Sequence, residues 1–260
     1  MEKTVKIEIN NKNINYDVIG EGKEVILLHG WLANLETMRP IANMLKDNFK
    51  CYLVDIVGFG KSDKIETPMN SDDYGDFVRD FMQALNIKKP IIIGHSNGGR
   101  AAIDALGRGL IECEKLVLID SAGLKKRHSL MWYLKVYTYK LGKLILNIMP
   151  QTKYIKESKE EYFKNAGSND YKASSPVLKQ TMNNILSESQ VENCKRIKCP
   201  TLLIWGGKDT ATPVYQGKKM EKLIPDAALV VYKDADHFSY LNHLSEVSLV
   251  LNSFLGKEEK

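Results

Sequence analysis

Short apolar runs punctuate the chain, and the segments between them set the fold class. Near the N-terminus apolar positions alternate: Val5, Ile7 and Ile9, then Ile14, Tyr16 and Val18, with a turn-rich stretch at 10–13. Strand side chains point to opposite faces in turn, so this pattern predicts a hairpin of half-exposed antiparallel strands. At 25–28 the pattern changes to an unbroken Val-Ile-Leu-Leu run. A strand covered on both faces reads this way. Similar runs recur at 51–54, 91–93, 116–119, 202–205 and 229–232. Helix-like segments lie between most of them, at 40–46, 74–85, 98–107 and 215–223, and a last one spans 244–255. Strand alternating with helix predicts an α/β protein, a parallel sheet with helices on both faces.

One region breaks the alternation. Residues 124–190 hold no clear buried strand, and Gly142, Pro150 and Pro176 divide them into helical segments. The region carries 12 Lys/Arg against 5 Asp/Glu, a net charge of +7, and 8 of the 22 aromatic residues. It reads as an all-helical insertion, with a core domain made of 1–123 and 191–260.

Composition narrows the function classes. At 260 residues, with 43% hydrophobic and 27% charged, the chain can bury a full core. Its net charge of +5 is far from the dense basic stripe of a nucleic-acid binder, so no nucleic-acid partner is expected. No apolar run reaches the roughly 18 residues of a membrane span. The first ten residues show no apolar leader region. Cys51, Cys113, Cys194 and Cys199 form no C-x-x-C pair, so neither a zinc site nor a disulfide framework is indicated. A reducing cytoplasm fits this usage.

The chemistry begins at 91-IIIGHSNGGRAA-102. Gly94-His95-Ser96-Asn97-Gly98 fits G-x-S-x-G, placed where a buried strand should turn into a helix. There the pattern makes a sharp, strained turn that lifts the serine hydroxyl above the sheet edge. The helix start also aims main-chain N–H groups, that of Asn97 among them, at developing negative charge. A serine nucleophile needs a base, and the base needs an orienting acid. Of the five histidines, His237 follows the last predicted strand, at the C-terminal sheet edge where ligands bind in open parallel sheets. His128 reads as part of a solvated basic face and His243 as a surface or capping residue. His95 lies inside the turn, and His29 lies in the loop after the first buried run. For the acid, Asp209 sits just beyond the 202–205 run in a Gly-rich loop and is favoured. Asp120, one strand earlier, competes. Asp234 and Asp236 read as turn formers. The main-chain N–H of Trp31, in Leu28-His29-Gly30-Trp31, is the expected second oxyanion donor opposite Asn97.

These motifs together resemble the α/β-hydrolase superfamily. The match covers His29-Gly30-Trp31, the loop 55-DIVGFGKSD-63, the elbow at 94–98, 205-WGGKD-209 and Asp236-His237. The superfamily's D-x-P-G-[FHY]-G-x-S loop usually carries proline where Val57 stands. The resemblance implies a mostly parallel eight-stranded sheet flanked by helices, with a helical cap between strands six and seven, where 124–190 falls. It also implies the order Ser96, Asp209, His237 for the triad. Relatives with aspartate at the elbow, the haloalkane dehalogenases and epoxide hydrolases, are disfavoured by Ser96. The HGGG loop of one esterase group is absent. Gly60-Lys61-Ser62 and Gly58-Phe59-Gly60 lack the remaining residues of a phosphate loop or a dinucleotide fingerprint.

The resulting expectation is a serine esterase of lipase-like type, acting on a largely apolar ester or acyl compound, with no cofactor and no metal. His29, Trp132, Tyr133 and Tyr137 are candidate substrate-pocket residues. The cluster Lys125-Lys126-Arg127-His128 ahead of a basic amphipathic stretch admits membrane-surface contact, with a solvated cap face preferred. The alternatives are a C–C bond hydrolase of ring-cleavage products, a cofactor-free perhydrolase and a ligand-binding receptor. The sequence leaves the oligomeric state open.

Overall fold

The structure is a computed structural model that describes residues 5–126, 130–148 and 169–256. The strands are β1 (Val5–Ile9), β2 (Lys12–Ile19), β3 (Lys23–Leu28), β4 (Phe49–Val54), β5 (Ile91–His95), β6 (Leu116–Ile119), β7 (Thr201–Gly206) and β8 (Ala227–Tyr232). They form one eight-stranded sheet in the order β1-β2-β4-β3-β5-β6-β7-β8. The β1–β2 and β2–β4 pairs are antiparallel, and the remaining pairs are parallel. The alternating N-terminal pattern is thus the hairpin, and the unbroken apolar runs are the parallel strands.

The inner parallel strands β3 to β7 are covered on both faces, which is why their sequences do not alternate, while the edge strand β8 is only partly buried. In β3, Ile26 and Leu28 join a core cluster with Tyr74, Val78 and Phe81. Their neighbours Val25 and Leu27 join a second cluster with Ile41, Leu45 and Leu251. Helices α1 (Arg39–Leu45) and α10 (Leu244–Leu255) supply that second cluster, while α2 (Ser71–Ala84) and α3 (Asn97–Gly107) supply the first. Helix α2 starts three residues before the predicted 74–85. Asn70 caps it, accepting from the Asp73 N–H while the Asp73 carboxylate accepts from the Asn70 N–H. That reciprocal cap fixes a helix start that apolar spacing does not reveal.

Backbone contacts divide the chain into two compact units, 1–125 with 176–260, and 126–175. The insertion expected at 124–190 therefore has its last part, including α6 (Pro176–Ser187), grouped with the sheet. In the smaller unit, α4 (Leu130–Ile148) and the short α5 (Asn169–Ala173) are described. Helices α7 (Val191–Arg196), α8 (Tyr215–Leu223) and α9 (Ser239–Asn242) complete the larger unit.

The loop after β4 is pinned from within. The Asp55 carboxylate accepts from the Leu35 N–H at 2.7 Å, the Lys61 N–H at 2.7 Å and Asn15 Nδ2 at 2.7 Å. The Ser62 hydroxyl donates to the Asp55 carbonyl at 2.6 Å and accepts from the Asn15 N–H at 2.9 Å. These bonds form with valine at 57, where the superfamily usually carries proline. Asp55→Ala strands three donors, so it should cost about 3 kcal/mol or more, read as a lower midpoint in urea unfolding.

Candidate active site

Three loops at the C-terminal edge of the parallel strands bring the site together. Strand β5 ends at His95 and α3 begins at Asn97, so Ser96 alone forms the turn. Its backbone sits at φ 50°, ψ −114°, outside the regions that L-residues favour. Such a conformation costs about 1–3 kcal/mol and persists only where its surroundings enforce it. The glycines show how. A Cβ on Gly94 would stand 2.6 Å from the Gly99 Cα, and one on Gly98 would stand 2.3 Å from the Leu28 carbonyl oxygen. Side chains at either position would push α3 off the sheet. Gly98→Ala should therefore destabilise by about 2 kcal/mol or more and reduce any Ser96-dependent activity, checked by thermal melting and an ester assay.

The Ser96 Oγ lies 3.0 Å from His237 Nε2. On the far side of the ring, His237 Nδ1 lies 2.8 Å from Asp209 Oδ2. A carboxylate only accepts, so Nδ1 carries the proton and the Nε2 lone pair faces the serine hydroxyl. Asp209 follows β7 and is itself held tightly. Its Oδ1 accepts from the Ala211 N–H at 2.7 Å and the Thr212 N–H at 2.9 Å, and its Oδ2 from the Thr212 hydroxyl at 2.7 Å. Burial pushes the Asp209 carboxyl up, but the contacts with His237 and Thr212 outweigh it and hold the group below its ordinary value.

Asp120, the competing acid, does another job. Its Oδ1 accepts from the Gly206 N–H at 2.7 Å, and its Oδ2 from the Ser239 N–H at 3.0 Å and the Ser239 hydroxyl at 2.6 Å. These bonds tie the end of β7 to the loop that carries His237. Burial pushes the Asp120 carboxyl up to about 6. Asp236 accepts from the Phe238 N–H at 2.9 Å, as a turn former does. His243 caps no backbone group through its side chain, pairs with Asp234 at 3.1 Å and stacks on Tyr232.

The main-chain N–H of Asn97 opens α3, where the first helix N–H groups lack intrahelical partners. Trp31 stands in the loop after β3, its ring edge-on to Phe59 at 5.0 Å. Gly30 sits against the elbow, because a Cβ there would lie 3.1 Å from the Ser96 Cβ. The two loops expected to supply oxyanion donors thus meet at the serine.

His29 departs from the expectation of a pocket residue. It is fully buried, its Nδ1 2.7 Å from the Gly30 carbonyl and its Nε2 accepting from the Ile56 N–H at 3.0 Å. Both ring nitrogens are used within the fold, so His29 braces the loop and offers nothing to a substrate. Tyr137 lies on α4 and is 63% exposed. The side chains of Trp132 and Tyr133, and His128 with Arg127, lie outside the described residues.

Two positioning groups escape sequence reasoning. Thr212 holds Asp209, and its carbonyl accepts from Trp205 Nε1 at 2.6 Å. The signal is an Asp followed two and three residues later by the N–H groups it accepts, a common local turn. His95 donates from Nε2 to the His237 carbonyl at 2.9 Å, and the two rings lie 5.0 Å apart. Burial pushes His95 down to about 3 and His29 down to about 4, from an ordinary value of 6.5. Both imidazoles should stay neutral as pH falls from about 8 to about 5, with flat ring ¹⁵N shifts in NMR. A titration near the ordinary value would contradict their burial.

Comparison with known proteins places these features in a family. The chain matches the alpha/beta hydrolase fold family over residues 23–147 and 139–244. It belongs to that family and is an enzyme of hydrolase type. It is 26% identical to the 2-(acetamidomethylene)succinate hydrolase of Mesorhizobium japonicum, over 94% of this chain and 91% of that one. It is 24% identical to the pimeloyl-[acyl-carrier protein] methyl ester esterase of Aliivibrio salmonicida, over 93% and 95%. Among solved structures it resembles a bacterial membrane phospholipase A, with a TM-score of 0.77, 19% identity, and 98% and 86% coverage. Among the described residues, no helix is long and apolar enough to cross a membrane.

Proposed function

We propose that this protein is a serine hydrolase that cleaves a carboxylic ester, or a related acyl compound, through an acyl-enzyme. The observation that carries the reading is the chain of contacts from Ser96 through His237 to Asp209, at 3.0 Å and 2.8 Å, on a strained turn.

In this reading His237 Nε2 takes the Ser96 proton as Oγ attacks the acyl carbon. The main-chain N–H groups of Trp31 and Asn97 stabilise the oxyanion, a contribution of about 3 kcal/mol for each donor. His237 then gives its proton to the leaving group. The same nitrogen next activates water, which releases the acid and restores Ser96. Asp209 fixes the ring tautomer and stabilises the imidazolium. An esterase among the relatives fits this chemistry. The insertion read at 124–190 is assigned as a cap that sets specificity, with Trp132, Tyr133 and Tyr137 as candidate residues for an apolar substrate.

Hydrolysis of p-nitrophenyl esters of graded acyl length tests the proposal. Turnover with a defined optimum length is expected. Folded protein that turns over none of them would reject the ester reading and favour C–C hydrolysis, perhydrolysis or ligand binding on the same fold.

A further inference from the structure

Two of the four cysteines stand together, away from the proposed chemistry. Cys113 precedes β6 and Cys199 precedes β7. These strands are parallel neighbours, with Leu116 opposite Thr201 and the Leu116 N–H donating to the Pro200 carbonyl at 3.0 Å. That register brings the two residues, 86 apart in sequence, to one sheet edge. It is the N-terminal edge of the parallel strands, whereas Ser96, Asp209 and His237 follow C-terminal ends.

Both are free thiols, and their sulfurs lie 3.0 Å apart. A disulfide measures about 2.05 Å, so closure brings the sulfurs together by only about 1 Å. Both residues line a cavity of about 650 Å³ whose walls carry Lys89, Arg108, Arg196 and Lys198 against Glu112 and Glu114. Lys89 favours a thiolate at Cys113, whereas Asp226 opposes one at Cys199. The Cys113 thiol donates to Cys199, which holds the Cys199 thiol below its ordinary value and pushes the Cys113 thiol above its own, so Cys199 is the thiolate of the pair. At 4% and 9% exposure, the pair admits only a small reagent from the cavity. The other two cysteines are 0% exposed, and burial pushes both up to about 12.

We propose that Cys113 and Cys199 form a reversible oxidation site that closes to a disulfide with a peroxide as oxidant. The Cys199 thiolate attacks one oxygen of hydrogen peroxide. The O–O bond breaks, Cys199 becomes a sulfenic acid, and the departing hydroxide leaves as water with the proton that Cys199 had lost. The Cys113 sulfur then attacks the Cys199 sulfur. The S–O bond breaks, and a second water leaves with the Cys113 proton. Two electrons pass from the thiol pair to the peroxide. A dithiol reductant reverses the reaction by thiol–disulfide exchange.

The test treats the full chain with hydrogen peroxide, counts thiols after denaturation and maps the non-reduced peptides by mass spectrometry. The thiol count should fall from four to two, with one peptide joining Cys113 to Cys199, and dithiothreitol should restore all four. In Cys113→Ser the cross-link should be absent and a dimedone adduct should accumulate on Cys199. Four thiols surviving the peroxide would overturn the proposal. So would a cross-link through Cys51 or Cys194, or oxidation of Cys199 to the sulfonic acid in the wild type without any cross-link.

Discussion

Ser96→Ala is expected to lower kcat on p-nitrophenyl esters by about 10⁴-fold or more while the fold persists. Both halves of this expectation follow from the turn. Ser96 holds a positive φ that the flanking glycines and the α3–sheet contact enforce, and alanine can be held there as serine is. Ser96 is buried, at 9% exposure, but the substitution removes a single oxygen atom, so little packing is lost. What disappears is the atom 3.0 Å from His237 Nε2. No acyl-enzyme can form without it, and only the oxyanion donors and substrate binding remain. Circular dichroism and a thermal melt matching the wild type would separate lost chemistry from lost structure. Residual activity within tenfold of wild type would mean that another group attacks the acyl carbon.

Asp209→Asn should lower kcat by about 10⁴-fold with little change in KM, because the ring of His237 loses its required tautomer. The amide introduced by this substitution would face the Thr212 and Ala211 N–H groups with its oxygen, because both are donors. Its NH₂ group would then point at His237 Nδ1, which must become the acceptor. The ring proton moves to Nε2, and Nε2 no longer takes the serine proton. Asp120→Asn makes the contrasting case. Its three donors come from Gly206 and Ser239, and none from His237. One of those bonds is lost, costing about 1–3 kcal/mol of stability, and activity falls far less than in Asp209→Asn. Equal losses of activity in the two variants would argue that both carboxylates orient the histidine.

The sequence carried the architecture because the inner strands are buried on both faces and the N-terminal hairpin is not. Continuous runs such as 25–28 and 116–119 are legible as parallel strands, and the alternating 5–9 as an edge hairpin. The elbow was legible for a steric reason, since only glycine at 94 and 98 lets α3 approach β3 and β5. The choice between Asp209 and Asp120 was not fixed by spacing. Both end neighbouring strands, and only the side-chain directions separate them. His29 misled because a histidine beside a glycine in this loop reads as site chemistry. Its tie to Ile56, 27 residues away in sequence, depends on loop packing that periodicity does not encode. The partnership of Cys113 with Cys199 was hidden likewise, because it follows from strand register across an 86-residue separation.

The most direct test of the central claim is labelling with a fluorophosphonate, which forms a covalent bond only with an activated serine, followed by peptide mapping. One phosphonate per chain on the peptide that holds Ser96, with activity lost in step and no label in Ser96→Ala, is the predicted result. Phosphonate on a different residue, or ester turnover that survives complete labelling of Ser96, would contradict it.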